Sequence, residues 1–181
     1  MRDDNSGFSL MEIIIVMAIL GVLTGFFITG LGYIFGTAAK SCANGIKTAV
    51  GSTRIATMGK EEAVLRIYRD PSEGAYFKQL WVDDTVAPEP YGETPEQIGK
   101  SYLEIVYWLK DENESLPGHT LGGPAELLIG FDRSSGAEAA ITMKINGVDM
   151  TSEIVKRIEV TGGGRTYTVG ISPATGKVYL E

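Results

Sequence analysis

The chain has 181 residues, 16 basic against 23 acidic, and a net charge of −7. That length suits one anchor plus one globular domain, and the residues after Gly59 suffice for an independent core. After Gly36 there remain 15 basic and 20 acidic residues, a balance that excludes sequence-blind nucleic-acid binding, which needs clustered Lys and Arg on phosphates. Cys42 is the sole cysteine, so an intrachain disulfide is excluded in any compartment.

The chain begins with a short polar segment and then Gly7-Phe8-Ser9-Leu10-Met11-Glu12, after which Ile13 to Ala39 carries no charge. A helix over that run is about 40 Å long, more than the roughly 30 Å of a bilayer's hydrocarbon core. A secretory signal would have a shorter apolar stretch and a small-residue cleavage site after it; here the small residue, Gly7, comes before. Hydropathy alone reads as an N-terminal signal anchor. Arg2 faces Asp3 and Asp4 on one side, while Lys40, Lys47 and Arg54 lie on the other, so the positive-inside rule leaves orientation open. Glu12 is the unusual residue. A carboxylate near the bilayer interior costs on the order of 2.5–3.5 kcal/mol, and the helix macrodipole returns only about 0.3–1 kcal/mol.

The segment from Gly7 to Leu23 closely resembles the type III signal of type IV prepilins and pseudopilins: a polar leader, Gly before the cut, Phe after it, and Glu as fifth residue of the mature chain. The resemblance implies cleavage between Gly7 and Phe8 by a membrane-embedded prepilin peptidase and methylation of the new amino group of Phe8. It also implies a partner for Glu12, the positive amino terminus of Phe8 in a neighbouring subunit, which sets register during assembly. On this reading residues 1–7 are a leader, 8–36 the transmembrane and assembly half of a helix, 37–59 its amphipathic half, and 60–181 a β-rich head. The implied function is that of a pilin, major or minor, in a type IV pilus-like filament. The alternatives are a pseudopilin of a type II secretion or DNA-uptake system, or a single-pass anchored binding protein that never polymerises. The implied partners are other copies or related pilins, the peptidase, a membrane platform with its assembly ATPase, and the lipid bilayer before assembly. Direct nucleic-acid binding is not expected. The chain would sit in the inner or cytoplasmic membrane first and in a cell-surface filament afterwards.

Gly21, Gly25, Gly30, Gly32 and Gly36 punctuate the apolar run, each at up to about 1 kcal/mol relative to Ala. Gly21-x-x-x-Gly25 and Gly32-x-x-x-Gly36 fit either close helix approach or the ordinary tolerance of membrane helices for glycine. Many pilins place a proline where this chain has Thr29, so the glycines are the candidate weak element, with local unwinding expected around Gly21 to Gly32 in a filament. Further on, Ala39, Cys42, Ala43, Ile46, Ala49, Val50 and Thr53 recur at three- and four-residue spacing and form one apolar stripe. Lys40, Asn44, Lys47, Ser52 and Arg54 occupy other faces, and Gly59 is a natural stop. Cys42 lies on the stripe and reads as a buried thiol.

Strands are expected over 63–69, 75–82, 102–109, 126–131, 139–145, 155–160, 166–171 and 177–180, the first two joined by Asp70-Pro71-Ser72-Glu73-Gly74. Gly162-Gly163-Gly164 and Pro173-Ala174-Thr175-Gly176 make the last three a meander. Residues 83–100, rich in Pro, Glu and Gly, read as a long surface loop. Met150 to Lys156, with Asp149 as a candidate N-cap, reads as a short helical turn. The fold class is α+β, a long N-terminal helix packed on an antiparallel β domain, similar to the pilin arrangement. The closing hairpin resembles H-type minor pseudopilins. Many Gram-negative major pilins close this region with a disulfide, a pattern from which this chain departs.

No catalytic, metal or cofactor set emerges, and the chain is not expected to be an enzyme. His119, the lone histidine, reads as a loop residue, and Thr161-Gly162-Gly163-Gly164-Arg165 lacks the context of a phosphate loop. Asp83, Asp84, Glu89, Glu93 and Glu96 match no calcium-loop spacing and read as a solvated acidic loop. Asp111-Glu112-Asn113-Glu114 reads as a turn.

Overall fold

The structure, a computed structural model, describes residues 9–59, 62–83, 91–113, 115–145 and 147–181, and at 27–31, 59, 83 and 91 the backbone alone. Among the described residues one helix, α1 (Leu10–Gly59), precedes twelve strands, giving an α+β architecture. The helix is unbroken from Leu10 to Gly59, about 75 Å of rod. Its first part, Leu10 to Phe26, is exposed, whereas Gly36, Ala39, Cys42, Ala43, Ile46, Ala49, Val50, Thr53 and Thr57 are buried. The expected stripe is thus the docking face. Of the residues expected on the other faces, Arg54 is half-buried, and its Nε donates to the Gly136 carbonyl at 3.0 Å. The sequence distance between the two hides that contact.

Two antiparallel sheets close on the stripe. The first joins β1 (Glu62–Arg69), β2 (Tyr76–Asp83), β3 (Tyr91–Gly92), β4 (Glu96–Gly99) and β7 (Glu126–Gly130), in the order β3-β2-β1-β7 with β4 also on β2. The second joins β5 (Glu104–Leu109), β6 (His119–Thr120), β10 (Val155–Gly162), β11 (Arg165–Ser172) and β12 (Lys177–Leu180), in the order β12-β11-β10-β5-β6. A separate hairpin pairs β8 (Thr142–Ile145) with β9 (Val148–Thr151). The period of two along each strand puts Leu65 and Ile67, Leu127 and Ile129, Ile105 and Tyr107, Ile158 and Val160, and Val169 and Ile171 into one continuous core with the helix stripe. At one end of the first sheet both faces are covered. Val64, Trp81 and Leu128 form a second cluster beneath Met143 and Ile145 of β8, which is why Val64 and Leu65 are buried in succession.

Several strand expectations hold to within a few residues, and the last three strands do form a meander. Three expectations are corrected. The 83–100 segment is not one long loop: Glu96 and Gln97 pair with Lys78 and Phe77, and Gly92 pairs with Trp81, while 84–90 lie outside the described residues. Pieces this short carry no side-chain period and are held by backbone pairing. Gly99 is there because an added Cβ would sit 3.0 Å from the Cys42 Sγ and 3.2 Å from Tyr76. Second, Met150 to Lys156 is not helical. Asp149 pairs with Lys144 across the β8–β9 hairpin. Ser152, buried, uses its hydroxyl to accept from the Ile141 amide at 2.8 Å and donate to the Ala139 carbonyl at 2.9 Å. Those bonds occupy the segment at Ala139–Ile141, so β8 begins only at Thr142, later than expected. Third, His119 belongs to the short edge strand β6, paired with Tyr107.

Turns clamp the helix at both ends of its buried half. The β10–β11 hairpin has φ +61° at Gly163 and +73° at Gly164, both in the region a two-residue primed turn needs. Its tip presses on the helix: a Cβ on Gly163 would lie 2.5 Å from the Gly32 carbonyl oxygen and 2.7 Å from the Gly36 nitrogen. Arg165 in turn covers Gly36, where an added Cβ would meet its Cδ at 2.9 Å. At the far end the Asp132–Gly136 turn lies against Arg54 and Met58 of the helix, and it is built like the Asp70–Gly74 turn between β1 and β2. Each Asp Oδ1 accepts amides two and three residues on, and each ends in a glycine at φ +65°. The Ser172–Gly176 turn ends the same way, with φ +61°, and a Cβ on Gly176 would collide with the Gly136 carbonyl oxygen at 2.1 Å and with Arg54.

The two hairpin glycines separate backbone strain from steric contact. Gly163→Ala is expected to destabilise the chain by at least about 1–3 kcal/mol, the cost of a left-handed non-glycine residue, with the clash against Gly32 added. Gly164→Asn, at a position where an added Cβ meets nothing within 4 Å, is expected to fall within about 0.5 kcal/mol of the parent. Thermal unfolding of the two variants, followed by circular dichroism, checks both values.

Candidate functional site

Ser9 starts the helix. Its carbonyl accepts from the Glu12 amide at 3.0 Å and the Ile13 amide at 3.2 Å, and its hydroxyl accepts from the Met11 amide at 3.3 Å. That is N-capping, and the spacing Ser9-x-x-Glu12 is the capping-box signature. It was legible in the sequence and is an element the family resemblance alone passes over. Glu12 falls in the first turn, where the exposed amide ends favour a negative charge. Around it Ile13, Val16, Met17 and Leu20 line a shallow groove, every one of them exposed in the single chain. The arrangement is a carboxylate at the positive end of a helix dipole, followed by two turns of bare aliphatic surface. Chemically it can receive a cation at Glu12 and an apolar surface beside it.

Gly7 and Phe8, expected at the cleavage site, lie outside the described residues. Of the expected helix glycines, Gly21 and Gly25 would meet nothing within 4 Å if each carried a Cβ, whereas the space beside Gly32 and Gly36 is filled by the 162–165 hairpin of the same chain. The side-chain position of Gly30 is outside the described set. Among the described residues no helix is long and apolar enough to cross a membrane, and the described side chains of the first apolar run end at Phe26.

The head offers little else that is chemically poised. Cys42 is fully buried, and burial pushes its thiol up to about 12, so it is an unreactive core residue. His119 bonds through Nε2 to the Glu112 Oε1 at 2.5 Å and stacks on Tyr107. Glu112 also accepts the Leu109 amide at 2.9 Å. The His119 bond and that amide hold its carboxyl below the usual range. The pair ties Glu112 to β5 and to His119 on β6. Among the described residues no three His, Cys, Asp or Glu side chains cluster as metal ligands; of the acidic loop, Asp84 and Glu89 are outside that set.

Among the described residues of the head, Glu138 is the one buried acid. Its Oε1 accepts the Val155 amide at 2.7 Å, its Oε2 is buried without a partner, and its backbone amide donates to the Pro173 carbonyl at 2.9 Å. It therefore ties the segment after β7 to the start of β10 and to the last turn. Burial pushes its carboxyl up to about 7, against the opposing pull of the Val155 amide and the Lys110 charge. The sequence shows only an acid between Ala137 and Ala139, with no sign of this junction.

Residues 2–28 match the family model described as the prokaryotic N-terminal methylation motif, the prepilin-type cleavage and methylation signal of type IV pilins and pseudopilins. No curated protein and no solved structure matches the chain.

Glu138 makes stability depend on pH. Because its carboxyl is about 7 in the folded chain against 4.5 as the ordinary value, the folded state holds the proton more tightly between those two values. Stability is then greatest at the acid end and falls as pH rises through about 7. Glu138→Gln keeps an acceptor for Val155 and removes the charge. The variant is expected to match the parent near pH 5 and to unfold at higher temperature than it near pH 8. Paired thermal melts across that range check this, and a parent–variant difference that stays constant with pH refutes it.

Proposed function

We propose that this chain is a structural subunit of a type IV pilus-like filament, cut between Gly7 and Phe8 by a prepilin peptidase and N-methylated on Phe8. The match at residues 2–28 to the N-terminal methylation motif is the observation that carries the reading. Three features of the chain support it. The uncharged sequence from Ile13 to Ala39 has the length of a bilayer-spanning helix, which suits a membrane-anchored precursor. The helix divides into an exposed apolar half and a half buried by the head, so one end is left for other copies while the other carries the globular domain. Glu12 stands at the capped N-terminus of the exposed half.

The assembly step follows from electrostatics. A carboxylate moved among aliphatic side chains costs more than the helix dipole returns, so burial of Glu12 between subunits needs a cation. Cleavage creates one. The freed amine of Phe8 in a neighbouring copy is methylated yet remains protonated, and it pairs with Glu12 when the two helices are in register. Out of register, both charges are left buried and alone, which penalises misaligned subunits. The head carries no catalytic role in this scheme. A pseudopilin of a secretion or DNA-uptake machine would use the same start, and labelling along extended surface fibres separates the two.

Mass spectrometry of the chain from its own cells is expected to show N-methylated Phe8 as the first residue, and a chain beginning at Met1 where the peptidase is active overturns the proposal. Glu12→Gln is expected to lower entry into filaments at least about tenfold, equivalent to about 1.4 kcal/mol, while processing at Gly7 continues. Quantifying the variant in sheared filaments against the membrane pool gives the number.

A further inference from the structure

We propose that Asn113 is an acceptor site for N-linked glycan on the exported head. The sequence there reads Asp111-Glu112-Asn113-Glu114-Ser115, which contains the Asn-x-Ser acceptor pattern with a residue other than proline between. Such a triplet arises often by chance, so its placement decides the matter. Asn113 and Ser115 are both exposed, as is Asp111. Asn113 opens a turn, with the Leu116 amide donating to its carbonyl at 2.9 Å and the Ser115 amide donating to its Oδ1 at 3.1 Å. That second bond occupies Oδ1 and does not involve Nδ2, the nucleophile of the reaction.

The turn is presented on a fixed base. Glu112 holds the Leu109 amide and His119 on one side, and on the other the Trp108 Nε1 donates to the Leu116 carbonyl at 3.3 Å. None of the described residues of 110–118 belongs to either core cluster, so a bulky polar graft on exposed Asn113 displaces no core side chain. Asp111 adds a carboxylate two residues ahead of the acceptor, a charge that a cationic pocket of the transferase can hold to register Asn113 at its reactive centre.

The donor is a lipid-linked sugar phosphate on the outer side of the membrane. Asn113 Nδ2 attacks the anomeric carbon; the N–C bond forms, the C–O bond to the lipid phosphate breaks, the lipid phosphate leaves with its charge, and the Nδ2 proton passes to a base of the transferase. No oxidant or reductant is needed. The proposal rests on the export of the head proposed above.

One digest tests both. Trypsin cutting after Lys110 and Arg133 releases peptide 111–133, to be weighed from native material together with the N-terminal peptide. The expected result is a sugar mass on Asn113, lost in Asn113→Gln and in Ser115→Ala. Asp111→Ala is expected to lose it as well, although it leaves the acceptor triplet intact. A bare 111–133 peptide in chains that begin at methylated Phe8 overturns the glycan proposal alone. A glycosylated peptide in chains that begin at Met1 supports it and overturns the processing proposal, and a bare peptide in such chains overturns both.

Discussion

The head is organised around how closely two sheets approach one helix. Ala39, Cys42, Ala43, Ala49, Val50 and Thr53 are small, and only Ile46 is large on the buried stripe. Short side chains let the backbone of α1 sit near the strands, so the bulk of the core comes from the sheets: Leu65, Ile67, Ile105, Leu127, Ile129, Ile158 and Ile171. Burying this surface is the main favourable term in folding. The glycine contacts at Gly36, Gly99, Gly162 and Gly163 show that the same closeness extends past the core to the hairpin tip. A larger side chain at any of them would push an element away.

The consequence for the helix is a sharp division. Below Gly36 it is clamped, by the 162–165 hairpin at one end and by Arg54 beneath the Gly136 and Gly176 turns at the other. Above, it projects with exposed apolar side chains from Leu10 to Phe26. The glycines follow this division. Those at 32 and 36 accommodate the chain's own head, whereas those at 21 and 25 have open space for a Cβ. The filament subunit proposed above needs both behaviours in one element: a stiff attachment to its head, and a bare surface left for other copies or lipid.

Charged side chains join elements or close turns, Glu138 from the interior and the others from half-buried positions. Glu138 bonds the start of β10 while its backbone holds the last turn, Asp70 and Asp132 close matching turns, and Arg66 pairs with Glu126 across β1 and β7. Asp132, its carboxyl held near 2 by Ser134 and Ser135, keeps its turn at any physiological pH. Glu138 has the opposite environment and the opposite displacement. The two acids lie six positions apart in sequence and differ in exposure, which decides the direction of each shift.

The sequence by itself determined the elements whose information is local and periodic. The stripe from Ala39 to Thr53 has a three-to-four spacing that only a helix gathers on one face, Gly59 ends it, and the Asp70–Gly74 and Gly162–Gly164 turns carry residue types their dihedral angles require. The start from Gly7 to Glu12 was readable because spacing and residue type together identify the signal, and Ser9-x-x-Glu12 could have been read as a cap from the same letters. Tertiary structure alone decided the rest. Glu96–Gly99 is a strand because β2 lies beside it, Met150 is extended because Ser152 ties its segment to Ala139, and Arg54 meets Gly136 across 82 residues. In each case the stabilising partner is distant along the chain, and a local window of residues contains no trace of it.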